Sequence, residues 1–242
     1  MDGVHGMSTQ LASTGPSVYW YLTRSTGAVA LLLLSGAVVL GVIDVRRWSA
    51  SGWPRFLVDS LHRNAALLAM VFLVLHILTS ILDGFASISP LDAFLPFVGS
   101  YRPFWLGLGA AAFDLLLAVT ITSLLRQRMG HGAWRAVHWL AYASWPVALL
   151  HGFGTGSDIK ATWMLALALA CLAAVLGAVL VRACAAWRRY PERSRVALAG
   201  TGVFTLFLAL WLPSGPLGSE WARRSGTPSA LLGRTTSKAG RR

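Results

Sequence analysis

Four histidines lie inside apolar stretches of the sequence, where an imidazole needs a specific partner. His62 and His76 are 14 residues apart on one stretch, and His138 and His151 are 13 residues apart on another. At about 1.5 Å per helical residue, either spacing covers roughly 20 Å, most of the thickness of a bilayer core. Each stretch therefore predicts a membrane helix with one imidazole near each of its ends.

The two histidine-bearing stretches are separated by one further apolar stretch, so the helices they form cross a membrane in the same direction. His62 and His138 then share one depth, and His76 and His151 share the other. Haem iron takes one axial ligand on each side of the porphyrin plane, and imidazole is a common one. Two depths with two imidazoles each predict two bis-histidine haems. The sequence contains no Cys-x-x-Cys-His motif, so these haems are expected to be of the non-covalent b type.

Other uses of these histidines stay open at this point. A single intramembrane histidine often makes a hydrogen bond between helices, and metal or proton-relay sites also use such residues. Those sites gather their ligands at one depth, whereas these four lie at two. A 13-residue step turns an ideal helix roughly 140° away from its starting face, so His138 and His151 require a distortion. Pro146 lies between them and is expected to supply it.

The elements that position these side chains are predicted to be membrane helices. The chain has 55% apolar and 12% charged residues, whereas a soluble domain carries about 25% charged residues. The apolar residues are gathered into blocks close to the length that spans a bilayer. We therefore predict an all-α polytopic bundle of about six transmembrane helices in contact with membrane lipid. The blocks cover residues 27–43, 62–82, 104–125, 134–153, 162–181 and 196–212.

The positive charges indicate an orientation rather than a nucleic-acid partner. The net charge is +12, but the basic residues form short clusters between apolar blocks, so we expect no nucleic-acid binding. Three alternate loops carry the larger share: Arg46, Arg47, Arg55, Arg63, Arg126, Arg128, Arg135, Arg182, Arg188, Arg189, Arg193 and Arg195. The opposite loops hold Arg24, Arg102 and Lys160. A multi-pass protein of the cell membrane with an extracytoplasmic N-terminus follows from the positive-inside rule.

The division of the chain follows from these blocks. Residues 1–26 are expected to form an extracytoplasmic segment with an aromatic interface anchor, and residues 27–182 a haem domain. Residues 183–212 then supply a cytoplasmic loop and a sixth helix. Residues 213–242 are rich in Gly, Ser, Thr and Arg, and we expect this basic tail to be disordered. Its charge favours a cytoplasmic location, which requires that the sixth helix does not span; six spans are the preferred interpretation.

The paired histidines and their surroundings resemble the ferric reductase-like transmembrane domain, in an actinobacterial-type branch. This family includes NADPH oxidases, ferric reductases and the haem subunit of periplasmic methionine sulfoxide reductase. The resemblance covers about residues 20–165 and is carried by H-x13-H, H-x12-H and the stretches WYLTRSTGAVALLLLSGAVVLGV, LHRNAALLAMVFLVLHILT, YRPFWLGLGAAAFDLLLA and WRAVHWLAYASWPVALLHGFGTGSD. It implies transmembrane electron transfer and the axial pairs His62/His138 and His76/His151.

In one respect the sequence departs from the oxidases and ferric reductases of this family. They continue into a cytoplasmic flavin- and NADPH-binding domain, whereas only about 60 residues follow the fifth helix here, without a G-x-G-x-x-G motif. We therefore expect no FAD or NAD(P) site and no catalytic residue, but an electron-transfer subunit of an oxidoreductase. Its electrons would come from a separate flavoprotein or ferredoxin, or from quinol. The alternative is a dedicated haem subunit that passes electrons from quinol or a flavoprotein to one periplasmic partner enzyme. A non-redox transporter or chaperone is the alternative of another class.

Two further residues are candidates for cofactor binding. Arg63 follows His62 and is placed to meet a haem propionate, although arginines at helix ends more often extend to the membrane interface. Asp114 lies in the middle of the third apolar block, where it could bond to an axial imidazole, carry protons, or bond to a neighbouring hydroxyl. Tyr101, Arg102 and Lys160 are weaker candidates for propionate contacts at the opposite end.

Overall fold

The structure of the chain is a computed structural model that describes residues 16–44, 55–156 and 158–232. Within these ranges every regular element is helical, which confirms the predicted all-α class. The helices are α1 Val18–Asp44, α2 Arg55–Leu82, α3 Pro103–Leu124, α4 Arg126–Met129, α5 His131–His138, α6 Leu140–Thr155, α7 Thr162–Ala186, α8 Pro191–Ser214 and α9 Trp221–Arg224, with a 3-10 turn at Pro90–Ala93.

Five of the described helices are long and apolar enough to cross a membrane: α1, α2, α3, α7 and α8. The fourth predicted segment is divided, because α5 and α6 meet at Trp139 and α6 alone has 16 residues. Together they cover the expected block 134–153. The multi-pass architecture is therefore confirmed, while the sequence did not reveal this division.

The helices satisfy their backbone hydrogen bonds internally, as a membrane requires, and present apolar side chains outward. On α2, Leu68, Val71 and Leu78 are 46%, 54% and 50% exposed, respectively. In water so many exposed leucines and valines on one helix would oppose folding, but hydrocarbon chains accept them without penalty. The outward surface of α2 is thus suited to lipid.

Helix packing leaves a gap on one side of the bundle. Helix α1 packs along α2 and α7, α3 packs on α6, and α7 packs on α8, whereas α2 makes few contacts with α3. The main core joins Trp145, Leu149 and Phe153 of α6 to apolar residues of α7 and α8. The Trp145 indole donates a hydrogen bond of 2.9 Å to the Ser35 hydroxyl and so connects α6 to α1. As a result, α2 stands apart from α3, α5 and α6, with a cavity between them.

Several boundaries differ from the sequence expectations. Helix α1 begins at Val18 rather than at residue 27, so the aromatic residues expected as a separate anchor form its first turns. Within the tail expected to be disordered, residues 213–232 pack on the bundle, because the Trp221 indole bonds to Gly154 of α6 and the Gly226 carbonyl accepts from the Arg102 amide. Residues 233–242, like the loop arginines Arg46 and Arg47, lie outside the described residues.

Candidate functional site

The four membrane histidines meet as two pairs across the gap. His62 of α2 faces His138 of α5, with ring centroids 6.2 Å apart and ring planes at 67°. His76 of α2 faces His151 of α6, with ring centroids 6.4 Å apart and ring planes at 82°. We call them pair I (His62 and His138) and pair II (His76 and His151). The structure therefore brings together the residues that the sequence placed at equal depths.

One ring nitrogen of each histidine faces a neighbouring helix. His62 Nδ1 lies 2.8 Å from the Ala37 carbonyl oxygen, His76 Nδ1 lies 2.8 Å from that of Thr23, and His151 Nδ1 lies 2.9 Å from that of Trp105. A carbonyl can only accept, so these three Nδ1 atoms carry the proton and donate. In a neutral imidazole the other nitrogen, Nε2, then keeps its lone pair and is a potential metal ligand.

His138 differs from the other three in its partner. Its Nδ1 lies 3.5 Å from the Ser123 hydroxyl oxygen, which also accepts a hydrogen bond of 3.3 Å from the Trp134 indole. The Trp134 ring stacks on the His138 ring, with centroids 5.0 Å apart. The side chains of Ser123 and Trp134 thus hold His138, whereas backbone carbonyls hold the other three histidines.

The spacing within each pair fits two imidazoles that share one metal ion. With metal–nitrogen bonds of about 2 Å and about 1.1 Å from nitrogen to ring centre, two such ligands on opposite sides place their ring centroids roughly 6.3 Å apart. The observed separations are 6.2 and 6.4 Å. Among the described residues no group of three or more His, Cys, Asp or Glu side chains could enclose a metal ion. The arrangement suits a metal whose other ligands come from a cofactor.

A single cavity of about 1690 Å³ contains all four histidines. It is larger than the roughly 300–1,000 Å³ of ordinary small-molecule pockets and extends from pair I to pair II. Apolar residues of α1, α2 and α3, among them Leu31, Leu73 and Leu116, line its middle. Its volume and apolar lining leave room for an apolar group beside each pair of histidines, with polar residues towards both ends.

Charged residues line both ends of the cavity. Arg63 and Arg126 lie at the end near pair I, so the predicted Arg63 does reach the site. Tyr101 and Arg24 lie at the end near pair II. Arg24 forms an ion pair with Asp158 and stacks over Trp20, its guanidinium carbon 3.4 Å from the ring centroid. In the sequence, Arg24 contributes only to the predicted membrane orientation. Its position among the aromatic residues at the start of α1 is the signal that could have indicated a place in the site.

Three predicted residues do not line the cavity. Asp114 is half-buried on α3 but lies outside the lining, although Phe113 and Leu116 beside it belong to it. Arg102 is 5% exposed, and its guanidinium donates to the Gly154 and Thr155 carbonyls and the Thr227 hydroxyl. Lys160 donates to the Gly218 carbonyl at 3.1 Å. Arg102 and Lys160 therefore hold the C-terminal segment instead of facing a cofactor.

A family model described as ferric reductase like transmembrane component matches residues 26–149, which include His62, His76 and His138 and end just before His151. No curated protein and no solved structure matches the chain.

Proposed function

Because the chain belongs to the family of ferric reductase like transmembrane components, whose domains imply electron transfer across a membrane, we propose that it conducts electrons through two b-type haems. The observation that carries this proposal is the geometry of the two pairs. Each has ring centroids separated by the distance that two ligands of one iron require. Pair I and pair II also lie at opposite ends of one continuous cavity.

The histidines would bind iron through Nε2, because their Nδ1 atoms are directed at oxygen atoms of α1 and α3. Haem bound in this way supplies an iron that changes its charge by one electron while keeping both imidazole ligands. Iron held by two histidines of the chain would carry electrons rather than bind oxygen or substrate, because both imidazoles would remain bound to it.

The residues around the two pairs would neutralise the carboxylates of a bound cofactor and keep water away from the space between the pairs. With both cofactors bound, the apolar residues that line the middle of the cavity would exclude water from the region between the two pairs. Arg63 and Arg126 are placed to neutralise carboxylates at the end near pair I. Near pair II, Arg24 is placed to neutralise such a carboxylate and Tyr101 to donate a hydrogen bond to it, although Asp158 already occupies part of the Arg24 guanidinium. Among these four, Arg63 and Tyr101 are candidates identified from the sequence.

The electron donor in this proposal is a separate protein. NAD(P)H delivers two electrons as a hydride, whereas haem iron accepts one, and a flavin ordinarily bridges the two. The described residues contain only helices, without the strand–helix–strand unit of a nucleotide-binding domain. The basic residues near α4, including Arg126 and Arg128, offer a docking surface for an acidic flavoprotein or ferredoxin.

The test is electron transfer into sealed vesicles. The purified chain is reconstituted with ferricyanide trapped inside, and NADPH is added outside with or without a flavoprotein reductase. We expect reduction of the trapped ferricyanide only when both chain and flavoprotein are present, and not with His151→Ala. Reduction by NADPH and chain alone would overturn the separate-donor proposal, while reduction only with added quinol would replace the flavoprotein by quinol. No transfer with any of these donors would overturn the proposed function.

A further inference from the structure

Small residues on α1 and α3 stand opposite the four histidines at regular positions. Gly27 and Gly41 of α1 face His76 and His62, and Gly109 of α3 faces His151. A methyl group added at these glycines would lie 2.9 Å from the His76 ring, 3.2 Å from the His62 ring and 2.5 Å from the His151 ring. Such distances are shorter than ordinary van der Waals contact. The three rings thus occupy space that any other residue would fill.

Each of these glycines stands four residues after the carbonyl that bonds the same histidine. Thr23 precedes Gly27, Ala37 precedes Gly41, and Trp105 precedes Gly109, each by one helical turn. In a helix the carbonyl of one residue is directed at the amide four residues later, so a side chain at that later position shields it. The absent side chain lets the imidazole reach a carbonyl that is already part of the helix.

The fourth histidine, His138, is supported by a serine hydroxyl instead of a glycine and a backbone carbonyl. Ser123 stands 14 residues after Gly109, the same spacing that separates Gly27 from Gly41. There the hydroxyl itself faces His138 Nδ1 and is held by the Trp134 indole. The two helical hairpins, α1 with α2 and α3 with α5 and α6, therefore present four supports at corresponding positions. Three use glycine and a carbonyl, and one uses serine.

We propose that Gly27, Gly41, Gly109 and Ser123 are positioning residues that orient the imidazoles and set the electron-donating strength of each as an iron ligand. This inference rests on the proposed haem function. A hydrogen bond from Nδ1–H to a carbonyl raises the basicity of Nε2 and thereby stabilises the ferric state. Three strong acceptors and one weaker hydroxyl at 3.5 Å make His138 the least basic ligand. Pair I, which contains it, has the higher reduction potential of the two.

The experiment is a redox titration of the haem-loaded protein, followed by optical and electron paramagnetic resonance spectra, with single variants. Gly109→Ala displaces the His151 ring from the Trp105 carbonyl. We expect the pair II component to shift to higher potential and its haem affinity to fall about 10- to 100-fold, as when other hydrogen-bond partners of a metal-binding histidine are lost. Ser123→Ala removes the hydroxyl without adding bulk and raises the potential of pair I alone; Ser123→Thr restores it.

The matched control is Gly36→Ala, on α1 between Gly27 and Gly41. A methyl group at Gly36 meets no atom within 4 Å, and alanine favours a helix over glycine, so both potentials stay at wild-type values. Unchanged potentials in both Gly109→Ala and Ser123→Ala would overturn the inference, as would an equal shift of both components by either variant. If Gly109→Ala does not fold, Ser123→Ala and Ser123→Thr decide alone. Wild-type protein that binds no haem would refute the proposed function instead.

Discussion

Replacing Arg102 by methionine is expected to release the C-terminal segment from the bundle. Arg102 precedes α3, and its guanidinium donates hydrogen bonds of 2.9 and 3.1 Å to the Gly154 and Thr155 carbonyls and of 2.9 Å to the Thr227 hydroxyl. Burial lowers the pKa of Arg102 from its ordinary value, yet arginine remains a cation throughout the neutral range. A buried cation with three acceptors thus links α6 to residues after α9.

The magnitude follows from the one guanidinium bond that reaches the C-terminal segment, the bond to the Thr227 hydroxyl, because the bonds to Gly154 and Thr155 join Arg102 to α6. A hydrogen bond from a charged donor contributes about 1.5–3 kcal/mol. We expect the opening of the C-terminal segment to become easier by about 1.5–3 kcal/mol, and at about 1.4 kcal/mol per tenfold this means roughly 10- to 140-fold.

Limited trypsin digestion measures this opening. Arg223 and Arg224 lie in α9, and cleavage after them requires the segment to detach, so its rate follows the population of the open form. Lys160→Met is the control: its bond to the Gly218 carbonyl is exposed, so cleavage accelerates less than about fivefold. Cleavage of Arg102→Met at the wild-type rate would refute the view that Arg102 holds this segment.

Three other predictions concern the site, the core and the topology. The imidazole planes lie far from parallel, at 67° in pair I and 82° in pair II, so the d orbitals of a bound iron that interact with the two rings would stay nearly equal in energy. We therefore expect strongly anisotropic electron paramagnetic resonance signals from the low-spin ferric protein, and weakly anisotropic signals would contradict this geometry. Phe153→Ala removes a ring that is 1% exposed and should cost about 3–5 kcal/mol of unfolding free energy, measured by thermal unfolding in detergent, whereas Phe207→Ala, at a site 45% exposed, should change it little. In a protein whose Cys171 and Cys184 are replaced, a cysteine introduced at Arg128 should resist membrane-impermeant thiol reagents in whole cells, whereas one introduced at Asp158 should be labelled. The reverse labelling pattern would mean the opposite orientation in the membrane.

Hydropathy was sufficient to predict most of the fold, because a bilayer demands long apolar helices whatever their partners. Hydropathy alone did not indicate where the helices begin or where the break between α5 and α6 lies. The stretch before residue 27 contains Tyr19, Trp20 and Tyr21, which suit both an interface anchor and the first turns of α1. The break at Trp139 has no sequence signal of its own, since the proline expected to distort this region, Pro146, lies inside α6.

The histidine pairs could be predicted because the spacing along helices that run in the same direction fixes the depth of each histidine in the membrane. Histidines at the same depth are the ones that can face each other. Their supports could not be predicted, because Gly27, Gly41 and Gly109 are three among 24 glycines, and only the packing of α1 on α2 and of α3 on α6 gives them a role. Arg102 shows the converse: its place near a helix start suggested a propionate partner, whereas the fold of the C-terminal segment supplies its acceptors. Long-range contacts of this kind leave no local pattern.

The most direct test of two bis-histidine sites is the haem content of four single variants. Wild-type protein should contain two extractable b haems per chain with low-spin spectra. His62→Ala and His138→Ala should both lose one and the same spectral component, and His76→Ala and His151→Ala should both lose the other, because these are the residues that face each other. Loss of the same component in His62→Ala and His151→Ala, or wild-type protein without a haem spectrum, would contradict the account.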